Sequence, residues 1–174
     1  MTLEFERFLT LFDRSVHSTN DWIARVPRDK FEWIPVDNSN LAYGDRVPRP
    51  TIKSLFIHLA VAEHRRLRDI KECPENGMLP IPHDPELTAR LGSGDIVANA
   101  MAIHKGNMEL LRGFTEDILE KHVHFVDQRW TVMGLLWAIY AHRTFHLGNI
   151  DIYLRQCNVA APEFHPVTTA AAMA

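Results

Sequence analysis

Apolar residues recur with a helical period along four segments of the chain, and polar residues fill the positions between them. The first segment runs from about Leu3 to Ile23, with Thr2 as its N-cap, and the second from about Thr51 to Glu72. The third runs from about Asp95 to Phe114. The fourth, from about Thr131 to Gln156, has the densest pattern. Because no convincing pair of strands accompanies them, the sequence predicts an all-α four-helix bundle.

Two long connections separate these helices. Residues 27–50 join the first helix to the second and contain four prolines and the turn-forming run DNSN, with room for one short helix around Phe31. Residues 73–94 join the second helix to the third and contain four prolines and three glycines. The apolar residues of the segment 116–130 follow neither a helical nor a strand period consistently. We expect one domain over residues 1–158 and a C-terminal tail over residues 159–174.

The composition narrows the class of protein. With 46% hydrophobic and 24% charged residues, the 174-residue chain matches a globular protein. Its net charge of −3 argues against nucleic acid as a partner, because phosphate binding needs an excess of Lys and Arg. The two cysteines are too few and too far apart for a disulfide framework or a cysteine zinc site. We find no signal peptide or membrane span, and we expect a cytoplasmic protein without a membrane partner.

Ten histidines make metal binding the main chemical candidate. His142 and His146 are four residues apart, so both imidazoles lie on one face of the fourth helix and can reach one ion. His58, at the edge of the apolar stripe of the second helix, can face the same core and supply a third ligand. Three histidines leave an open coordination position, which is typical of catalytic zinc sites. The alternative is a metal-free bundle in which the three histidines only pack.

Other common catalytic motifs are absent from the sequence. It contains no ExxH, which a di-iron carboxylate bundle needs, and no HExxH of a zinc protease. It also lacks GxGxxG, GxxxxGK[ST] and GxSxG. Nucleotide-binding loops and the nucleophile elbow of the hydrolases therefore have no support.

Two stretches resemble the DinB/YfiT-like family of metalloenzymes. They are SLFIHLAVAEHRRL at residues 54–67 and GLLWAIYAHRTFHLGNIDIYLRQ at residues 134–156. In that family a histidine of the second helix joins an HxxxHxG motif of the fourth, which here corresponds to His58, His142 and His146 followed by Gly148. KFEWIP at residues 30–35 is similar to the family's Leu-x-Trp-x-Pro stretch before the second helix. Asn149 stands where the family usually has glutamine.

The resemblance implies a four-helix bundle, commonly a homodimer, that binds one divalent transition metal ion such as zinc, nickel or iron. Characterised relatives include transferases and isomerases that use low-molecular-weight thiols. Such an ion lowers the pKa of a thiol or water in its open position, which activates it for attack on a small electrophile. The alternative is a non-catalytic bundle that binds a metal or ligand as a sensor, carrier or partner-binding dimer.

Three further residues are candidates for contacts around the metal site or its pocket. His104 lies on the apolar face of the third helix, and Asn149 and Tyr153 follow the fourth-helix histidines. Packing alone is the competing interpretation for each of them. Glu63 is five residues after His58, which turns it about 140° away on a regular helix, so we do not include it among the ligands.

Overall fold

Four long helices dominate the structure, a computed structural model that describes residues 2–34 and 49–161. They are α1 (Leu3–Ala24), α2 (Ile52–Glu72), α4 (Ile96–Arg112) and α6 (Val132–Gln156), and the short helices α3 (Pro85–Leu91) and α5 (Glu116–Glu120) lie between them. A single 3-10 turn, Arg28–Lys30, follows α1 in the first connection. The all-α prediction and the four predicted helices are confirmed.

The helix starts are fixed by hydrogen bonds from side chains at their N-caps. The side chain of Thr2 caps α1, as predicted, by accepting from the backbone N–H of Phe5. Thr51 and Thr131 cap α2 and α6 in the same way, and Asp95 caps α4 with two such bonds. These contacts satisfy backbone donors that have no partner inside the helix.

The four long helices form a closed ring of neighbours. Helix α1 packs against α4 and α6, and α2 packs against the same two helices from the opposite side. Each helix therefore has one face toward a common interior, as the apolar stripes of the sequence require.

The interior consists of two apolar clusters with a polar layer between them. One cluster includes Phe5, Phe8 and Phe12 of α1, and the other includes Trp22 and Ile23 near the end of the same helix. Between the clusters, each long helix contributes buried polar side chains. They are Ser15, Thr19 and Asn20 of α1, Glu63 and Arg66 of α2, His104 and Asn107 of α4, and Arg143 and His146 of α6.

A small sheet, which the sequence analysis did not predict, lies beside the bundle. Strands β2 (His122–Phe125) and β3 (Gln128–Thr131) form an antiparallel hairpin, and β1 (Gly77–Met78) pairs with β2 in parallel. The hairpin turn has positive φ at both Val126 and Asp127. Positive φ is rare for a β-branched residue such as valine. Because Val-Asp stands here in place of the Asn-Gly pair by which such hairpins are recognised, the sequence contains no indication of the turn.

The C-terminal tail is described only at its start. After α6, the backbone N–H of Val159 donates to the carbonyl of Leu154, and Val159 and Ala161 pack against the apolar cluster near Trp22. Residues 162–174 of the predicted tail and the DNSN run at 37–40 lie outside the described residues. Across the described part of the chain, every helix falls short of the length and apolar character that a bilayer crossing needs.

His64 makes two hydrogen bonds that together require its neutral form, one to Asn107 of α4 and one to Arg68 of its own helix α2. Its Nδ1 lies 2.9 Å from Asn107 Oδ1, and its Nε2 lies 2.9 Å from Arg68 Nε, which can only donate. Burial, followed by the nearby arginines, lowers the pKa of His64 against the opposing effect of the bond to Asn107.

The neutral form of His64 predicts that the folded chain loses stability in mild acid. Because the pKa of His64 is lower in the folded chain than the ordinary histidine value of 6.5, the unfolded chain binds the proton more readily. His64 therefore makes its full contribution to the free energy of unfolding above about pH 6.5, and this contribution is lost as the pH falls further. His64→Leu should make the thermal midpoint less dependent on pH between about pH 7.5 and about pH 5 than in wild type.

The measurement is thermal unfolding followed by circular dichroism on chelator-treated protein, so that metal loss does not contribute. His83→Leu is the control, because the exposed His83 makes no side-chain hydrogen bond with the described residues. Equal pH dependence in wild type and His64→Leu would contradict the prediction.

Candidate metal centre

The structure brings the three predicted histidines together from two neighbouring helices. His58 lies on α2, and His142 and His146 lie one turn apart on α6. His142 Nε2 is 3.2 Å from His58 Nε2 and 3.1 Å from His146 Nε2. One ligand atom of each residue lies within 4.8 Å of those of the other two.

These separations fit one metal ion. Two nitrogens bound to one ion at about 2.0–2.1 Å, at angles between about 90° and 110°, lie roughly 2.9–3.4 Å apart. The three ring planes are also steeply inclined to one another, by 68°, 82° and 83°. Steep mutual inclination lets three imidazoles direct their nitrogens to one point without stacking.

Hydrogen bonding alone explains the cluster less well. Each Nε2 carries either one proton or one in-plane lone pair, never both. His142 Nε2 can therefore make only one full hydrogen bond, although two other Nε2 atoms lie at hydrogen-bond distance from it. A shared cation satisfies all three nitrogens at once, so the residues present fit a divalent metal ion with three histidine ligands.

A mostly apolar cavity of about 240 Å³ adjoins the histidines. His58 and His142 form part of its wall, while His146 is buried behind them with only 3% of its surface exposed. The rest of the wall comes from α2, α6, the small sheet and the second connection. It includes Ala62, Glu63, Arg66, Pro82, Phe125, Trp130, Leu135, Ala138 and Ile139.

The fold and the histidine site can be compared with known proteins. No protein-family model matches the sequence, and no curated protein matches it significantly. Among solved structures, the DinB-like protein YjoA from Bacillus subtilis superposes with a TM-score of 0.68 at 16% identity, over 93% of this chain and 99% of that one. YfiT from Bacillus subtilis superposes with a TM-score of 0.67 at 15% identity, over 92% of this chain and 91% of that one. The chain has the DinB/YfiT-like fold.

The resemblance inferred from the two histidine stretches is thus confirmed for the fold. YfiT is described as a probable metal-dependent hydrolase with an unusual four-helix bundle topology. At this level of identity the superposition establishes the architecture, and the chemistry must be argued from the site of this chain.

A buried ion pair next to the histidines was missed by the sequence analysis. Arg143, which follows His142, donates from Nε and Nη2 to the two carboxylate oxygens of Glu63, both at 2.6 Å. Its Nη1 donates to Thr19 Oγ1 at 3.0 Å. Glu63 and Arg143 are 2% and 3% exposed, so the pair ties α1, α2 and α6 together inside the polar layer. Glu63, which was not included among the predicted ligands, is the counter-charge of Arg143 in this structure. Sequence spacing carries no signal for this pair.

A second buried arginine shapes the far wall of the cavity. The guanidinium carbon of Arg66 lies 3.6 Å from the centre of the Phe125 ring, and its Nη1 donates to the carbonyl of Pro80 at 3.0 Å. These contacts fasten the small sheet and the second connection to α2. The cavity therefore depends on segments outside the four long helices.

The other three predicted residues lie outside the cavity wall. His104 is buried on α4, where its Nε2 lies 2.8 Å from Asp13 Oδ1, and burial lowers its pKa against the effect of that bond. Tyr153 is buried with its ring edge-on to Trp33 at 5.8 Å. Asn149 has a buried Nδ2 with no hydrogen-bond partner among the described residues. A role of Asn149 in orienting a neighbouring group stays a prediction.

The ion pair leads to a stability prediction. Glu63→Ala leaves the guanidinium of Arg143 buried without its counter-charge, so the free energy of unfolding should fall by about 3–5 kcal/mol. The double variant Glu63→Leu with Arg143→Met removes both charges and should lose much less. Urea unfolding followed by circular dichroism measures both changes.

Glu72→Ala is the matched control, because Glu72 is an exposed glutamate of the same helix. Its substitution should change the free energy of unfolding by no more than about 0.5 kcal/mol. A loss in Glu63→Ala as small as in Glu72→Ala would show that the pair does not hold the helices together.

Proposed function

We propose that the chain is a divalent-metal-dependent enzyme that activates a small nucleophile, a low-molecular-weight thiol or water, for attack on a small electrophile. The observation that carries the proposal is the convergence of three histidine nitrogens, at 3.1 Å and 3.2 Å, beside an apolar cavity. Three protein ligands leave positions open for a nucleophile, whereas structural zinc sites close the shell with four.

Each part of the site has a role in this proposal. His58, His142 and His146 would hold the ion, which when bound supplies Lewis acidity that lowers the pKa of a thiol or water. The cavity limits the substrate to a small molecule, because about 240 Å³ lies below the usual range for ligand pockets. Its apolar side chains, such as Leu135 and Ile139, favour an apolar electrophile and exclude water from around it.

The choice between the two nucleophiles has separate lines of support. The description of YfiT as a probable metal-dependent hydrolase supports water. The sequence resemblance to thiol-dependent transferases and isomerases supports a thiol. Zinc, nickel and iron all accept imidazole ligands, so each of these ions would suit the three histidines.

The second candidate is a non-catalytic metal or ligand carrier, and one observation favours it. Glu63 is the only carboxylate among the described residues that line the cavity, and Arg143 binds both of its oxygens. It is therefore not placed to act as a general base. In the enzyme, the ion would have to activate the nucleophile without help from a nearby carboxylate.

We further propose that the chain forms a homodimer in the cytoplasm. Phe145 and Ile152 are 59% and 52% exposed on the outer face of α6, which supports an apolar contact there. Light scattering on an Ile152→Ser variant would test the dimer, because a shift from dimer to monomer is expected if this face is the interface. Phe145 is left in place because its ring packs against His146, with centres 5.1 Å apart.

The metal site predicts a specific loss of metal. All proteins are purified untagged, without chelator or nickel resin. His142→Ala and His58→Ala should each contain one equivalent of transition metal per chain less than wild type. Elemental mass spectrometry gives the content. His122→Ala should retain the wild-type content, because His122 lies on β2, away from the cluster. Unchanged metal in His142→Ala would overturn the three-histidine site.

The enzyme predicts turnover that requires the same histidines. Glutathione, cysteine and coenzyme A would each be assayed with monochlorobimane, in which a carbon–sulfur bond forms, the carbon–chlorine bond breaks, chloride leaves and the thiol proton goes to solvent. Para-nitrophenyl acetate would test water as the nucleophile. Rates above background that disappear on chelation and in His142→Ala support the enzyme, whereas background rates with metal-loaded protein favour the carrier.

A further inference from the structure

A second cluster of side chains that could hold a metal ion lies between α1 and α4. Asp13 and His17 are one turn apart on α1, and His104 reaches them from α4. One ligand atom of each lies within 4.8 Å of those of the other two. We propose that these three residues form a separate site for one divalent transition metal ion, with zinc as the probe.

The donor types and distances support this site. Two imidazoles and one carboxylate form a set that binds zinc, iron, nickel and copper in proteins and leaves positions open for water. Asp13 Oδ1 lies 2.8 Å from His104 Nε2 and 3.6 Å from His17 Nε2. These two values lie on either side of the roughly 2.9–3.4 Å between neighbouring ligands of one ion, and binding would require the exposed side chain of His17 to move toward the other two.

The cluster combines one fixed ligand with two adaptable ones. The side chain of His104 is 5% exposed, whereas those of Asp13 and His17 are 44% and 56% exposed. The rings of His17 and His104 are almost perpendicular, at 89°, with centres 6.0 Å apart. An ion can thus enter from solvent and meet a ligand whose orientation the core has already set, and partial exposure favours an affinity weaker than that of a closed structural site.

His104 has an additional feature that a simple ion pair does not account for. Its Nδ1 is buried and has no hydrogen-bond partner among the described residues. His104 also lines a cavity of about 10 Å³, enough for one water, whose wall includes Asn20 and Asn107. Ligation through Nε2 places the proton on Nδ1, and a water in this cavity can accept it, as the outer contacts of histidine ligands require.

The two sites share no residue. The three-histidine site uses α2 and α6, and this one uses α1 and α4. Zinc at the second site would cross-link α1 to α4 and stabilise the folded chain by mass action. Each site can therefore be removed while the other is measured.

The test is calorimetric titration of zinc into chelator-treated, re-dialysed protein. If both sites exist, wild type binds two ions per chain, His142→Ala binds one, and His142→Ala with His17→Ala binds none. His17 is exposed, so its substitution should leave the fold intact. Asp13→Asn, which keeps an acceptor for His104 but loses the charge, should weaken the remaining site at least about tenfold.

The matched control is His122→Ala in the His142→Ala background. His122 is another partly exposed histidine near a carboxylate, with Nδ1 3.6 Å from Glu75 Oε1, but it belongs to neither cluster. This control should still bind one zinc. Equal binding with and without His17, or no binding to the His142→Ala protein, would overturn the second site. Loss of one ion in His17→Ala but not in His142→Ala would instead keep the second site and refute the three-histidine site.

Discussion

The polar layer across the middle of the bundle is the constraint on which the rest of the structure depends. Its strongest interaction is the pair between Glu63 and Arg143, with both carboxylate oxygens bound at 2.6 Å and both side chains almost fully buried. A buried charge is tolerated only when a partner neutralises it, so α2 and α6 can pack in few relative positions. Their register follows from this pair more than from the apolar contacts above and below it, which tolerate sliding more easily.

The same constraint places the histidine site. Arg143 lies next to His142 in the chain, and Glu63 lies on the helix that carries His58. Fixing Arg143 against Glu63 therefore fixes the distance across the interface at which His58 meets the α6 histidines. The layer separates two roles: the ion pair holds the helices together, and the histidines remain available as ligands, with His58 and His142 partly exposed at the cavity and His146 buried beside them.

The sequence was most informative where structure follows from local pattern. The long helices begin close to their predicted starts, because Thr2, which was predicted as a cap, and Thr51, Asp95 and Thr131 accept backbone hydrogen bonds within one turn. His142 and His146 were predicted because a spacing of four on a helix puts both side chains on one face, and His58 because the apolar stripes of two bundle helices face a common core. In contrast, the Glu63–Arg143 pair depends on contacts between residues 80 positions apart, and the hairpin depends on a strained Val126–Asp127 turn. Neither has a local signal.

The segments that sequence reasoning could not resolve are those that complete the cavity. Phe125 and Trp130 come from the unpredicted hairpin, and Pro82 comes from the second connection. Arg66 holds these segments in place through its contacts with Phe125 and the carbonyl of Pro80. Since the helices supply the three histidines and the added segments supply much of the wall, the proposed metal chemistry would depend on the helices and the choice of substrate on the added segments. In the proposed enzyme, the three histidines would therefore constrain the type of reaction far more tightly than the identity of the electrophile.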